Sequence, residues 1–153
     1  MRALTGARVF DGTRLLGGHA VCVGGGRVAE VVPEALLPPD VPREALGGGI
    51  LAPGFVDLQV NGGAGLMLAE AQGVEDLHRI AAAHAALGAT TILPTLISDT
   101  RETTARVVAL VAEAVAEGVS GIAGLHLEGP HLDPRKAGAH DPAHLRPMTE
   151  GDV

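Results

Sequence analysis

The sequence predicts an α/β chain in two parts, a small β-rich domain over residues 1–52 followed by alternating strands and helices over residues 53–153. Three observations predict it. Short Val/Leu runs broken by glycine dominate as far as Leu51. Apolar residues take up helical spacing from Val74. Glycine then ends each helical run before the next strand-like run begins. At 153 residues and 46% hydrophobic composition the chain has apolar material for a sizeable core. With two Phe and no Trp or Tyr, that core must be aliphatic, and little is left for base stacking. A formal charge of -7 gives no positive field, so neither a nucleic acid nor an anionic membrane is expected as partner. A small anionic substrate held by local donors is compatible with it. The single cysteine, Cys22, sits in an apolar run that suggests a buried strand and cannot form an internal disulfide. No signal region and no span of ~18 uncharged apolar residues is visible, so a cytoplasmic protein is expected.

In the first part, Ala7 to Phe10, His19 to Val23 and Arg27 to Val32 read as strands. Gly24-Gly25-Gly26 lies between two of them, which makes it a hairpin turn and not a phosphate cradle, since no helix follows. Pro33 to Pro42 is a connection, and Leu46 to Leu51 returns to an apolar segment. In the second part, Phe55 to Val60 reads as a strand, and Val74, Leu77, Ile80, Ala81, His84 and Leu87 as a helix face stopped by Gly88. Thr90 to Leu93 is the next strand. Asp99 with Glu102 three residues on resembles a capping box, and Val107, Val108, Leu110, Val111, Ala114 and Val115 form the face of the helix it opens. After Gly118, Ile122 to Leu127 supplies a third strand, and Thr149 to Val153 resembles the opening of another helix.

Strands separated by helices imply a parallel sheet. Three such strands leave an open edge, and a closed eight-stranded barrel takes ~250 residues. The expected fold is therefore α/β, a partial (β/α)8 TIM-like barrel made of its first three strands, preceded by part of a small β-sandwich domain. The chain reads as truncated.

Polar residues gather where the parallel strands end: Gln59 and Asn61, then Thr95, then His126 and Glu128. Barrel enzymes carry their chemistry at that face. Alternation puts His126 and Glu128 on one side of their strand, where a carboxylate suits a divalent metal. The residues alone leave Glu128 open between a metal ligand and a carboxylate that caps a neighbouring backbone or pairs with a lysine, and His140 open between a site residue and a histidine capping the turn before Asp141-Pro142.

The segments Pro53-Gly54-Phe55-Val56-Asp57-Leu58-Gln59-Val60-Asn61-Gly62-Gly63, Leu93-Pro94-Thr95, His126-Leu127-Glu128-Gly129-Pro130 and Lys136-Ala137-Gly138-Ala139-His140 resemble, in order and spacing, the N-acetylglucosamine-6-phosphate deacetylases of the amidohydrolase superfamily. The resemblance runs over essentially the whole chain and corresponds to the first two-fifths or so of that family's length. It implies that residues 53–153 are the first βα units of an amidohydrolase barrel. Where most amidohydrolases carry His-x-His, this chain has Gln59-Val60-Asn61, which resembles the branch that works with one metal ion.

By this resemblance the activity is hydrolysis of a linear amide, the acetamide of N-acetylglucosamine 6-phosphate, to glucosamine 6-phosphate and acetate. The cofactor is one divalent metal, with zinc the first choice, which activates water and polarises the carbonyl. Glu128 is the implied metal ligand, with Gln59 and Asn61 near the site. Ala139 and His140 contact the substrate, and His140 supports the developing oxyanion, a contribution of ~3 kcal/mol in comparable sites. His131 is expected to line the sugar pocket and His126 to pack or to orient Glu128. Two further histidine ligands and the acid/base aspartate lie outside this sequence, so the 153-residue chain is expected to be inactive by itself. The expected partner is the small amino-sugar phosphate, and the full-length protein is expected to be a homo-oligomer. The rival readings are an amidohydrolase acting on a cyclic amide or another N-acetyl sugar, and a non-catalytic fragment or interaction module.

Overall fold

A computed structural model describes residues 1–152, and the end of the predicted terminal helix at Val153 lies outside the described residues. The chain is mixed α/β and divides into two compact units, Met1–Pro53 and the residues from Gly54 onward. No described helix is long and apolar enough to cross a membrane.

The first unit holds seven strands: β1 (Arg2–Thr5), β2 (Arg8–Phe10), β3 (Leu15–Leu16), β4 (His19–Gly24), β5 (Arg27–Pro33), β6 (Arg43–Ala45) and β7 (Ile50–Leu51). They form a four-stranded sheet in the order β5-β4-β1-β6 and a three-stranded sheet in the order β3-β2-β7. Alternation along β1 and β4 sends Ala3, Ala20 and Cys22 to one face, where Leu37 and Val41 cover them. Leu4, Val21 and Val23 face a second cavity shared with Val9 and Leu51. The β4–β5 turn has Gly25 and Gly26 at φ 58° and 73°, the two positive dihedrals that a tight hairpin requires, as the glycine run predicts. Cys22 is buried in β4, as expected.

The second unit is built on β8 (Phe55–Val60), β11 (Ala89–Ile97) and β12 (His126–Glu128), all parallel, in the order β12-β11-β8. A short hairpin of β9 (Gly62–Gly63) and β10 (Leu66–Met67) follows β8. Helix α1 (Val74–Ala85) connects toward β11, and α2 (Arg101–Ala116) connects toward β12. Leu77 and Ile80 of α1, Val107 and Val111 of α2, and Ile92 and Leu96 of β11 are buried together with Val60 and Leu68. Each such side chain contributes about 1.5–3 kcal/mol by leaving water, and this shared core holds both helices against one face of the sheet.

Four predicted details are corrected. Leu87 is 81% exposed, because α1 ends two residues before it and the helical spacing no longer applies. Val108 and Val115 are exposed as well: each lies one residue, about 100° of rotation, past the buried Val107–Ala114 stripe. The cap of α2 is Thr100, whose hydroxyl accepts from the Thr103 amide, while Asp99 accepts from the Thr100 amide one residue earlier. The third strand is shorter than predicted. Gly121 and Gly124 take φ of 89° and 159° and interrupt it, leaving one bridge from Ile122 to Ile92 and a regular strand only from His126.

Strand β11 runs four residues beyond its predicted end, through Pro94, although it is the central strand of its sheet and proline has no amide to donate. The ladder to β8 shifts register between Ile92 and Pro94. There the Thr95 hydroxyl accepts from the Val60 amide at 2.9 Å and donates to the Leu93 carbonyl at 3.1 Å. A side chain thus takes over the pairing that the irregular backbone gives up. Thr95 is 2% exposed and its hydroxyl is satisfied inside the sheet, although the residue also borders a cavity with Asn61 and Ala139.

Candidate functional site

The site forms where β8, β11 and β12 reach their carboxyl ends. Gln59 lies near the end of β8, within the strand predicted there, and Glu128 is the last residue of β12, one residue past the predicted strand end. Although β11 separates those strands, Gln59 Nε2 donates to Glu128 Oε2 at 2.9 Å. Both side chains therefore share one face of the sheet, as alternation predicts for Glu128.

Beyond Glu128 the chain turns through a cis Gly129–Pro130 peptide into a loop that returns at Arg146. The neck of this loop is tied twice: the Arg146 amide donates to the Pro130 carbonyl, and His131 Nδ1 donates to the Arg146 carbonyl at 3.0 Å. Within the loop, Asp133-Pro134 and Asp141-Pro142 each open a short 3-10 turn, with the aspartate accepting an amide two residues on and proline at the first helical position. The Arg135 guanidinium beside Asp133 holds that carboxyl below the usual carboxylate range. His140 stands between these two capped turns, and its own amide donates to the Ala137 carbonyl.

The His140 ring is buried, at 8% exposure. Its Nδ1 accepts the backbone amide of Ser98 at 3.1 Å and lies 2.8 Å from the Ser98 hydroxyl. Its Nε2 stands 3.5 Å from Glu128 Oε1. Gln59, Asn61, Glu128, Ala139 and His140 line one cavity of about 500 Å³, together with Ile97, Leu132 and Lys136. Asn61 and Ala139 also border an adjoining cavity beneath Asp99 and Asp141.

Two expected placements differ. His131 is not brought to this cavity: its ring is turned to the loop neck and borders a separate cavity with Arg146 and Met148. His126 does not hold Glu128, because its Nδ1 donates to the Leu58 carbonyl at 2.8 Å, and Gln59 holds the carboxylate instead. Sequence reasoning missed Ser98, which stands just past β11 and reaches the site through a contact 42 residues away. The helix histidines carry no chemistry: His78 is exposed, and His84 donates to the Gly62 carbonyl.

Among the described residues no three His, Cys, Asp or Glu side chains converge to hold a metal ion. Glu128 fits one corner of such a site. It is a hard anionic oxygen donor, half-buried, touched by a neutral amide and an imidazole edge and by no lysine or arginine. Gln59 and Asn61 offer neutral amides, which are poorer ligands.

Residues 1–51 match the family model described as NagA composite domain. Over 111 residues the chain is 47% identical to N-acetylgalactosamine-6-phosphate deacetylase of Shewanella sp. (strain ANA-3), a match that covers 72% of this chain and 28% of that protein. It is 32% identical to N-acetylglucosamine-6-phosphate deacetylase of Haemophilus influenzae, with coverage of 96% and 39%. The crystal structure of N-acetylglucosamine-6-phosphate deacetylase from Pasteurella multocida superimposes with a TM-score of 0.92 at 29% identity, over 99% of this chain and 40% of that one. The chain thus spans between about a quarter and two-fifths of the length of these relatives.

Proposed function

The chain belongs to the N-acetylglucosamine-6-phosphate deacetylase family, matching the amino-terminal part of its members, and from that premise we propose that it supplies part of the active site of a metal-dependent amino-sugar-phosphate deacetylase. The reaction is hydrolysis of the acetamide of N-acetylglucosamine 6-phosphate to glucosamine 6-phosphate and acetate. The three parallel strands are then the first three of a (β/α)8 barrel, and residues 1–52 part of a small sandwich domain. The homo-oligomeric, cytoplasmic enzyme expected from the sequence remains part of this proposal, in keeping with an unpaired cysteine.

One divalent metal, zinc as first choice, would supply the activated water and polarise the amide carbonyl. Glu128 is the residue of this chain that would hold it, and Gln59 fixes the carboxylate's orientation through the 2.9 Å hydrogen bond. His140 directs Nε2 into the same cavity, where a proton on that nitrogen stabilises negative charge on the acetamide oxygen. Ala139 leaves room beside the ring for the acetamide, and Ile97 and Leu132 give the cavity an apolar wall. The observation that carries this reading is the convergence of Glu128 and His140, from different segments, to 3.5 Å in one cavity.

Acetate release from N-acetylglucosamine 6-phosphate, with zinc present, tests it in two proteins: the 153-residue chain and the chain continued to its relatives' length. Turnover is expected only in the longer protein and should fall at least a hundredfold in Glu128→Gln. Unchanged turnover in that variant contradicts the reading. The Shewanella relative favours a second substrate, the galactose epimer at C4. A parallel assay with N-acetylgalactosamine 6-phosphate decides between them by the ratio of kcat/KM.

A further inference from the structure

We infer that Ser98 is a positioning residue that selects the Nε2–H tautomer of His140; the inference rests on the deacetylase reading only for its catalytic consequence. A backbone amide has a proton to give and no lone pair to offer, so the 3.1 Å contact from Ser98 N makes Nδ1 of His140 an acceptor. In a neutral imidazole the proton then sits on Nε2. The opposite tautomer sets two N–H groups against each other inside a buried contact. It also leaves the Ser98 amide without a partner, in a residue only 5% exposed.

The histidines elsewhere provide the contrast. His19, His84, His126 and His131 each meet a carbonyl oxygen and so donate through the bonded nitrogen. Among the described residues His140 alone meets an amide N–H, and it alone borders the Glu128 cavity with its other nitrogen free of a backbone partner.

Two consequences follow for the site. Protonated Nε2 has no lone pair, so His140 is a donor toward Glu128 and toward a substrate carbonyl, and not a metal ligand. With the tautomer set by the amide, the Ser98 hydroxyl, 2.8 Å from Nδ1, becomes a second donor to that nitrogen. Space for that hydroxyl exists because residue 129 is glycine: a Cβ there would lie 2.2 Å from Ser98 Oγ. The end of β11, the turn after β12 and the His140 loop therefore meet at one serine.

Long-range 1H–15N correlation spectra of the uniformly 15N-labelled 153-residue chain, taken where the rings are neutral, read the tautomer directly. His140 is expected to show a pyridine-type Nδ1 and a pyrrole-type Nε2, with a 15N–15N coupling across the hydrogen bond to the Ser98 amide. A pyrrole-type Nδ1 overturns the inference. Ser98→Ala keeps the backbone amide and removes only the hydroxyl, so in the protein continued to its relatives' length it should keep the Nε2–H tautomer while lowering kcat about tenfold with KM within about twofold, and Ser98→Thr should restore kcat. A pyrrole-type Nδ1 in Ser98→Ala would show that the hydroxyl and not the amide selects the tautomer and would overturn the inference, and an unchanged kcat would remove the hydroxyl's part in positioning. Loss of the deacetylase reading would look different: the continued protein with Ser98 and His140 intact would release no acetate while its tautomer stayed as inferred.

Discussion

Gln59 donates to Glu128 across an intervening strand, at 2.9 Å, so the carboxylate is oriented by a neutral amide and not by a cation. A lysine or arginine in that place would neutralise the charge that a metal needs. The amide fixes the geometry and leaves the charge available.

Replacing that amide with an apolar side chain of similar size should therefore weaken metal binding without unfolding the protein. Zinc titration of Gln59→Leu, in the chain continued to its relatives' length, is expected to give affinity lower by about 10- to 100-fold. An unchanged affinity would mean that Glu128 needs no such support.

Thr95 is expected to be structural despite standing among the polar strand-end residues. Thr95→Val keeps the volume and removes the acceptor for the buried Val60 amide, a loss of about 1–3 kcal/mol in urea unfolding. Thr95→Ser, which retains the hydroxyl, should recover most of it. A loss in Thr95→Ser that Thr95→Val does not show would contradict this and assign the effect to packing of the methyl group.

Gly129 and Gly138 both have positive φ, at 90° and 60°, but their surroundings differ. A Cβ at Gly138 meets nothing within 4 Å, whereas at Gly129 it collides with Ser98. Gly138→Ala should cost about 1 kcal/mol of backbone strain, and Gly129→Ala more than about 2 kcal/mol. Only the second should also disturb the His140 ring resonances. Matching effects in thermal melts and spectra would contradict the Ser98 contact.

Asp152 gives a pH dependence whose sign is fixed. The Thr149 hydroxyl and amide, with the Arg101 guanidinium beside them, hold its carboxyl well below the usual aspartate range. A depressed folded value stabilises above the ordinary 3.8 and is lost as pH falls through the folded value. The tie from α2 to Asp152 should thus persist at pH 4 and fail only in stronger acid. A carboxyl 13C titration with its midpoint at or above 3.8 would refute this, and Asp152→Asn should abolish that part of the acid dependence.

The frame of both units was legible in the sequence where local chemistry decides the outcome. Gly25 and Gly26 predict their hairpin because few other residues accept both dihedrals, and Leu77, Ile80, Val107 and Val111 predict their helix faces because burial repeats with the helical period. Legibility failed where distant contacts decide. The local pattern ends the second parallel strand at Leu93, whereas the pairing of Thr95, Leu96 and Ile97 with β12 and the Thr95–Val60 bond, 35 residues apart, carry it on to Ile97. His126 was placed on the correct face, yet its partner is a carbonyl on β8 that no local pattern reveals. Ser98 depends on a contact 42 residues away, so nothing near it in sequence marked it out. Glu128, Gln59, Ala139 and His140 were legible through resemblance, and their convergence on one cavity is what geometry adds.

The most direct test is a crystal structure of the zinc-loaded chain, continued to its relatives' length, with data collected at the zinc absorption edge. An anomalous peak about 2.0–2.2 Å from a Glu128 oxygen is expected, with His140 Nε2 outside the coordination shell. A peak remote from Glu128, or one bonded to His140, would contradict the site built here on that carboxylate.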